Sequence, residues 1–420
     1  MQLKYGKDTI SLMPDTGVAW NVLPEQIPGD FSVSGPRLVK EAVADLVNQL
    51  DAFPIPSRPR LLLIVPDHTR RCRLEEILAG LLPALEKKYD ADIRILVANG
   101  SHVLQPEALL REVVGEAVCA RHAVLQHDAL DDVQLADLGT TTFGTPVRLN
   151  RLVIESDFVI TIGAILYHYF AGFGGGPKML LPGVAGLESI RINHRRTLDP
   201  VSGLFHHDCQ EGNIVTNPVF IDLAQVVHFV PHALSLQVVL SPQGEIVEAA
   251  AGPILPIHRR LTERVRQIYA LPIDDRADVV IASAGGYPAD VNLIQSHKSI
   301  HHACQALKPA GTLIVLAECA QGIGSSYFMR YFTGATSCEM GLQLLRDYQI
   351  NGHTALALRR KTETARIILV SGLDADAVRQ TGMHAAASFA EAWAMTAPHL
   401  PAGARGYILP DSSKFVPIQR

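Results

Sequence analysis

The sequence lacks several features that would place it in a particular class of proteins. It has no run of eighteen or more apolar residues, so it predicts no membrane-spanning helix, and its N-terminus lacks the apolar core of a signal peptide. None of its six cysteines belongs to a Cys-X-X-Cys pair, which disfavours a zinc knuckle or disulfide framework and suggests reduced thiols in a cytoplasmic protein. A net charge of -5 disfavours general binding to nucleic acid.

The composition is that of a globular protein with enough apolar residues for more than one core. The chain has 420 residues, of which 48% are hydrophobic and 19% charged. Strand–turn–helix patterns in both halves predict an α/β fold with two domains and mainly parallel sheets. We predict an N-terminal domain over residues 1–270, which carries the main site, and a C-terminal domain over 271–404. The strand-like tail, residues 405–420, is expected to pack back on the N-terminal domain.

Three polar turns in the first half each follow a predicted buried strand. The first turn runs from Asp67 to Arg70, the second ends at His102, and the third spans Tyr167 to Lys178. In a parallel sheet the three turns would lie at one edge, where open α/β sheets bind their ligands. The strands are predicted over Leu61–Val65, Ile93–Ala98 and Phe158–Gly163.

The third turn belongs to the most unusual stretch of the chain, LYHYFAGFGGGPKMLLPGVAGLESIRINHR. Gly174, Gly175 and Gly176 have no side chains, so their backbone amides can approach a ligand closely. Together with Lys178 they favour an anionic, phosphorylated ligand. A Walker A loop has serine or threonine after its lysine, and the methionine found here disfavours a nucleotide triphosphate hydrolase. The alternative interpretation is a glycine-rich surface turn with an exposed lysine.

Two further patterns have weaker signals. His206, His207 and Asp208 are metal-ligand types, but consecutive residues point in different directions, which favours a structural role. In the second half, Gln295 and Lys298 are three residues apart and therefore share one face of a predicted helix. A solvated helix face is the alternative for that pair.

Taken together, these motifs resemble the nickel-pincer lactate racemase family. The matching pieces are PDHTR at Asp67 to Arg70, NGSH ending at His102, HYFAGFGGGPKMLLPGV from His168 to Val184, NH ending at His194, EGN at Glu211 to Asn213, and the QxxK of Gln295 and Lys298. The pieces occur in both halves of the chain and in the order of the family, which makes the combination specific.

The resemblance implies a covalently attached cofactor and an active site in the cleft between the two domains. Lys178 would carry a nickel-pincer nucleotide, that is, a pyridinium-3-thioamide-5-thiocarboxylic acid mononucleotide with nickel. In the family, nickel is bound by a ring carbon and two sulfurs, and His194 would supply the remaining ligand. Asp67 and the glycines Gly174, Gly175 and Gly176 are expected to contact this cofactor.

The resemblance also implies the roles of the other residues. His102 and His168 would be paired acid/bases on the two sides of the substrate, since histidine gains and loses protons near neutral pH. Arg70, Gln295 and Lys298 would hold the substrate carboxylate and oxygen.

The implied activity is inversion of C2 of a small 2-hydroxy acid by hydride transfer to and from the cofactor. Enzymes that build the cofactor are the implied partners, and neither nucleic acid nor a membrane is expected. Two alternatives stay open. One is a 2-epimerase of sugar acids with the same fold, for which His206, His207 and Tyr287 would supply polar groups. The other is a homologue that binds the cofactor without turnover.

Overall fold

The chain forms two compact units in the computed structural model, which describes residues 1–12, 17–24, 35–325 and 327–420. The central unit comprises Gly29–Arg196 and Asp208–Ile268, and the terminal unit comprises Met1–Pro28, Thr197–His207 and Tyr269–Arg420. The strands, numbered along the chain, are β1 (Gln2–Tyr5), β2 (Asp8–Ser11), β3 (Ala19–Val22), β4 (Arg60–Pro66), β5 (Asp92–Ala98), β6 (Ala123–Gln126), β7 (Leu135–Thr140), β8 (Pro146–Asn150), β9 (Phe158–Ala164), β10 (Tyr167–His168), β11 (Gly172–Phe173), β12 (Ala233–Leu240), β13 (Ile246–Pro253), β14 (Ala270–Ile273), β15 (Ala277–Ser283), β16 (Leu307–Leu316), β17 (Arg366–Val370), β18 (His384–Ala386), β19 (Arg405–Leu409) and β20 (Val416–Gln419). The helices are α1 (Gly35–Asp51), α2 (Leu74–Lys88), α3 (Glu107–Val114), α4 (Glu116–Arg121), α5 (Leu152–Glu155), α6 (Leu187–Arg195), α7 (Pro218–Val226), α8 (Ile254–Tyr269), α9 (Leu293–Gln305), α10 (Ser337–Arg346), α11 (Gly352–Thr364), α12 (Ala375–Gln380) and α13 (Phe389–Thr396).

The central unit is built on a six-stranded sheet with the strand order β13-β12-β9-β4-β5-β6. Its neighbouring strands are parallel except for β12 and β13, which pair antiparallel at one edge. Strand β4 pairs with both β5 and β9, so the turns that follow these three strands lie side by side. The prediction that the three polar turns gather at one edge of a parallel sheet is therefore confirmed.

The apolar sequence of these strands explains why they form the middle of the unit. β4 reads RLLLIVP, and all of its residues after the first are buried. Helices α1 and α2 cover one face of the sheet with apolar residues at helical spacing. Fully burying one such leucine or valine stabilises a fold by roughly 1.5–3 kcal/mol, and this cluster contains many of them.

The terminal unit has a second six-stranded sheet, in the order β18-β17-β16-β15-β19-β3, and its strands are all parallel. The predicted fold class, α/β with mainly parallel sheets, is confirmed. The tail strand β19 pairs with β15 and with β3 of this unit. Because β3 lies within the predicted N-terminal domain of residues 1–270, the packing of the tail on that domain stays a prediction. An apolar strand takes the sheet that offers it neighbours on both sides, and short-range periodicity does not tell which sheet that is.

The N-terminal residues also belong to the terminal unit, although the sequence predicts them in the domain over residues 1–270. β1 and β2 pair as an antiparallel hairpin, and residues 13–16 and 25–34 lie outside the described residues. β3 adds an edge strand to the terminal sheet. The division near residue 270 stays a proposal for the folding domains.

Over residues 1–12, 17–24, 35–325 and 327–420, none of the helices combines the length and the apolar content needed to cross a membrane. All six cysteines have free thiols.

Candidate active site

The first turn holds a carboxylate against a histidine of the second turn. Asp67 is 4% exposed, and its Oδ2 lies 2.5 Å from Nδ1 of His102. Burial alone would raise the pKa of Asp67, but the His102 contact, the charge of Arg70 and the Thr69 hydroxyl lower it to about 2. Because an ionised carboxylate only accepts hydrogen bonds, the His102 proton sits on Nδ1, which leaves Nε2 as the proton acceptor.

A network of buried amides fixes the second turn relative to the first. The Gln105 side chain donates to Asn99 Oδ1 at 3.0 Å, and its Oε1 accepts the backbone N–H of His68 at 3.1 Å. The backbone N–H of His102 donates to the carbonyl of Asn99 at 2.9 Å. These contacts hold His102 beside Asp67. The sequence analysis did not predict roles for Asn99 and Gln105, because a neutral amide side chain does not by itself indicate a site. Asn99 could have been found as the first residue of the NGSH motif.

Two buried polar side chains hold the glycine loop of the third turn. Gln237 Oε1 accepts the N–H of Gly176 at 3.1 Å, and His258 Nε2 donates to the carbonyl of Gly174 at 3.3 Å. Gly175 and Gly176 have φ of +68° and +52°. A Cβ on Gly176 would lie 2.5 Å from the His258 ring, and one on Gly175 would lie 2.8 Å from Gln237. The fold itself therefore requires glycine at both positions.

This arrangement limits which amides of the loop can reach a ligand. The N–H of Gly174 donates to the carbonyl of Leu166 at 2.7 Å, and that of Gly176 donates to Gln237 at 3.1 Å. The Cα of Gly174 faces more open space, because an added Cβ would have its nearest neighbour at 3.7 Å. Contacts of these glycines with a cofactor stay a prediction.

Lys178 lies in the single 3₁₀ turn that follows the glycines, Gly176–Met179. Its Nζ lies 3.2 Å from Nε2 of His168 and 5.0 Å from the ring centre of Phe170. Burial and the positive charge of Arg70 lower the pKa of Lys178 to about 7. At pH 7 about half of these amines are therefore neutral, and a neutral amine is nucleophilic.

The predicted acid/base His168 has one ring nitrogen on the backbone and the other on this lysine. Its Nδ1 accepts the backbone N–H of Ala171 at 3.4 Å. Its Nε2 lies 3.2 Å from the Lys178 amine, so the two groups can exchange a proton.

Phe170 is the ring beside which His168, Lys178 and His194 lie. It is 4% exposed, and its ring centre lies 4.4 Å from that of His168 and 5.1 Å from that of His194. His194 is nearly buried in the last turn of α6. Sequence reasoning missed Phe170 because an aromatic residue in an apolar stretch usually belongs to the core. Its position between His168 and the glycines was the available signal.

These contacts join residues of separate turns into one constellation. His102 contacts Asp67, the charge of Arg70 acts on both Asp67 and Lys178, and Lys178 contacts His168. The constellation offers a proton acceptor, a partly neutral amine and a guanidinium that can bind an anion.

Gln295 and Lys298 lie in the terminal unit, on the first turns of α9. Lys298 Nζ donates to Gln295 Oε1 at 2.9 Å, so the prediction that they share one helix face is confirmed. Asn292 caps this helix by accepting the Gln295 N–H at 2.9 Å. The substrate-binding role of the pair stays a prediction.

Comparison with known proteins bears on both units. Residues 5–204 match the family model "Lactate racemase N-terminal domain", and residues 273–415 match "Lactate racemase C-terminal domain". The lactate racemase of Thermoanaerobacterium thermosaccharolyticum is 30% identical over 344 residues, which cover 79% of this chain and 77% of that protein. The lactate racemase of Lactiplantibacillus plantarum is 31% identical over 271 residues, or 64% of this chain and 62% of that protein.

Two solved structures share the fold. The lactate racemase apoprotein from Thermoanaerobacterium thermosaccharolyticum superposes with a TM-score of 0.87 at 24% identity, covering 100% of this chain and 99% of that one. A structural-genomics protein from Thermotoga maritima superposes with a TM-score of 0.70 at 16% identity, covering 94% of this chain and 100% of that one.

Proposed function

The chain belongs to the lactate racemase family and is an isomerase, and we propose that it inverts C2 of a 2-hydroxy acid with the help of a nickel-pincer nucleotide. The observation that carries this proposal is the constellation of His102, Asp67, Arg70, Lys178 and His168, whose members contact or act on one another although they come from three separate turns. Removing the C2 proton directly is difficult beside an ionised carboxylate, which favours a hydride route.

The residues present fit the family's cofactor. Lys178 has an amine that is partly neutral at pH 7, as a covalent attachment requires. His194 presents an imidazole, a donor that suits nickel(II), 5.1 Å from the ring centre of Phe170, and Phe170 lies beside Lys178. When bound, the nucleotide supplies the hydride-accepting chemistry that no side chain can provide.

His102 is the proposed base for the substrate hydroxyl. Its Nε2 is the accepting nitrogen, and the side chain is 43% exposed, so an incoming substrate can reach it. Asp67 keeps the ring in this tautomer and stabilises the imidazolium that forms when the proton is taken. The contact with His102 supports this orienting role for Asp67 more directly than the cofactor contact implied by the resemblance.

His168 is the proposed acid/base for the opposite enantiomer, and three cationic or polar residues are proposed to hold the substrate. Arg70 would bind the carboxylate with its guanidinium, whose NH1 donates to the Thr69 hydroxyl at 3.2 Å. Gln295 and Lys298 would bind the carboxylate or the C2 oxygen, as the resemblance implies.

The proposal is tested by producing the protein together with enzymes that build the cofactor. We expect the intact mass to rise, the added mass to map to the Lys178 peptide, and about one nickel per chain, as a mononuclear site requires. Lys178→Ala is the matched control, and it should fold while losing both adduct and activity. Chiral 2-hydroxy acids from lactate to gluconate then identify the substrate. Wild-type protein that stays unmodified and free of nickel would contradict the proposal.

A further inference from the structure

A fully buried carboxyl group lies beneath α6, the helix that carries His194. Asp222 of α7 accepts hydrogen bonds from the hydroxyls of Thr141 and Thr145 at 2.6 and 2.7 Å, and from Asn193 Nδ2 and Arg196 Nε at 2.9 Å each. A buried carboxyl is costly unless hydrogen bonds satisfy it, and these four donors satisfy both oxygens of Asp222.

The partner on α6 is the residue immediately before His194. Asn193 Nδ2 also donates to the carbonyl of Val219 at 3.1 Å, so one amide group links the last turn of α6 to α7 twice. Successive residues of a helix project about 100° apart. Asp222 therefore acts on His194 through the position of the helical turn and not by contact with the ring.

The same helix α7 also holds the segment that carries Phe170. Asn217 caps α7 by accepting the N–H groups of Val219 and Phe220 at 3.0 and 3.2 Å. Its Nδ2 donates to the carbonyl of Phe170 at 2.8 Å. One end of α7 thus holds Phe170 and its middle holds Asn193, which places the rings of Phe170 and His194 5.1 Å apart.

We propose that Asp222 is a positioning residue for His194, acting through Asn193. The assignment rests on the proposed function, in which the His194 imidazole binds nickel. The hydrogen bonds to the glycine loop before Lys178 come from Gln237 and His258, and none of the four donors to Asp222 belongs to that loop. We therefore expect the covalent attachment to depend less on Asp222 than nickel binding does. When the hydrogen bonds of Asp222 are removed, the fraction of protein with an adduct at Lys178 should therefore stay nearly unchanged, while the nickel affinity should fall.

The test uses protein produced with the cofactor-building enzymes and compares Asp222→Asn and Asn193→Ala with wild type. Three quantities are measured: the fraction with an adduct at Lys178, the nickel retained against a graded series of chelator, and the midpoint of thermal unfolding. We expect near-normal adduct and nickel affinity that is roughly 10–100-fold weaker, as when groups that orient a metal-binding histidine are removed elsewhere.

Leu223→Ala is the matched control, because Leu223 is a buried apolar residue of the same helix. It should lower the unfolding midpoint and leave nickel affinity per adduct unchanged. If Asp222→Asn does not fold, Asn193→Ala carries the test, since it leaves the threonine and arginine partners of Asp222 in place. Wild-type nickel affinity in the folded variants, or an equal loss in Leu223→Ala, would overturn the positioning role alone. Wild-type protein with neither adduct nor nickel would overturn the proposed function and this assignment with it.

Discussion

The amine of Lys178 should react with small acylating reagents at a pH at which ordinary lysines are protonated. Its pKa falls from 10.5 to about 7 because the side chain is buried and the Arg70 guanidinium repels a second positive charge. At pH 7 about half of the Lys178 amines are then neutral, compared with about three in ten thousand for an ordinary lysine. The neutral amine is therefore roughly a thousand-fold more abundant at Lys178 than at an ordinary lysine at this pH.

The assay treats the cofactor-free protein briefly at a series of pH values and quantifies acylation of the Lys178 peptide by mass spectrometry. The midpoint should lie near 7, and the same peptide in denatured protein, with an ordinary pKa of about 10.4, is the reference. Arg70→Ala should move the midpoint upwards but not to the denatured value, because burial is the larger cause. A native midpoint above about 9 would refute the reasoning, since it would mean that the ammonium is hydrated in the fold.

Three further predictions follow from the same contacts. Asp67→Asn should lower kcat of the cofactor-loaded enzyme by about 100-fold to 10,000-fold, because His102 loses the partner that fixes its tautomer, while the adduct at Lys178 remains. Steady-state racemisation measures kcat, and an unchanged value would contradict the orienting role of Asp67. Burial lowers the pKa of His258 from 6.5 to about 4, so the stability that its neutral form contributes is complete above pH 6.5 and is lost as the pH falls towards 4. Buried His127, His297 and His301 also have lowered pKa values and add to the pH dependence. In urea unfolding, the stability lost between pH 7 and pH 5 should therefore be about 2 kcal/mol smaller for His258→Phe than for wild type. Gly176→Ala should lower the free energy of unfolding in urea by about 1–3 kcal/mol, because φ at this position is +52° and the added Cβ would lie 2.5 Å from the His258 ring. Gly174→Ala should lower it less, because an added Cβ there has its nearest neighbour at 3.7 Å.

The strands and the edge that carries the site could be predicted because their signals are local. The apolar run from Leu61 to Val65 is too short for a helix and ends in a polar turn, which is the pattern of a buried parallel strand. Because the strands are parallel, Asp67 and His102 lie at the same edge of the sheet, and this could be predicted without knowing the order of the strands. The face shared by Gln295 and Lys298 followed from helical spacing alone.

The supports of the site could not be predicted in this way, because they come from distant parts of the chain. Gln237 contacts Gly176 because β12 lies beside β9 in the sheet. Which strands lie side by side is decided by the whole sheet and not by the sequence of either strand. His258 reaches Gly174 from α8, which is equally remote in sequence. The strand Arg405–Leu409 was predicted as a strand but its sheet was not, for the same reason. Local sequence patterns predict individual strands and helices, whereas the residues that contact one another across the sheet depend on the order of its strands.

Arg70 connects the two ionisation states that the proposed chemistry needs. The His102 contact and, to a lesser extent, the positive charge of Arg70 lower the pKa of Asp67, which favours the ionised carboxyl that His102 needs as its partner. The same charge lowers the pKa of Lys178, which favours the neutral amine needed for covalent attachment. One guanidinium thus shifts an acid towards its charged form and a base towards its uncharged form at a single pH. Loss of Arg70 should therefore reduce both proton acceptance by His102 and covalent attachment of the cofactor at Lys178, in addition to removing a contact with the substrate.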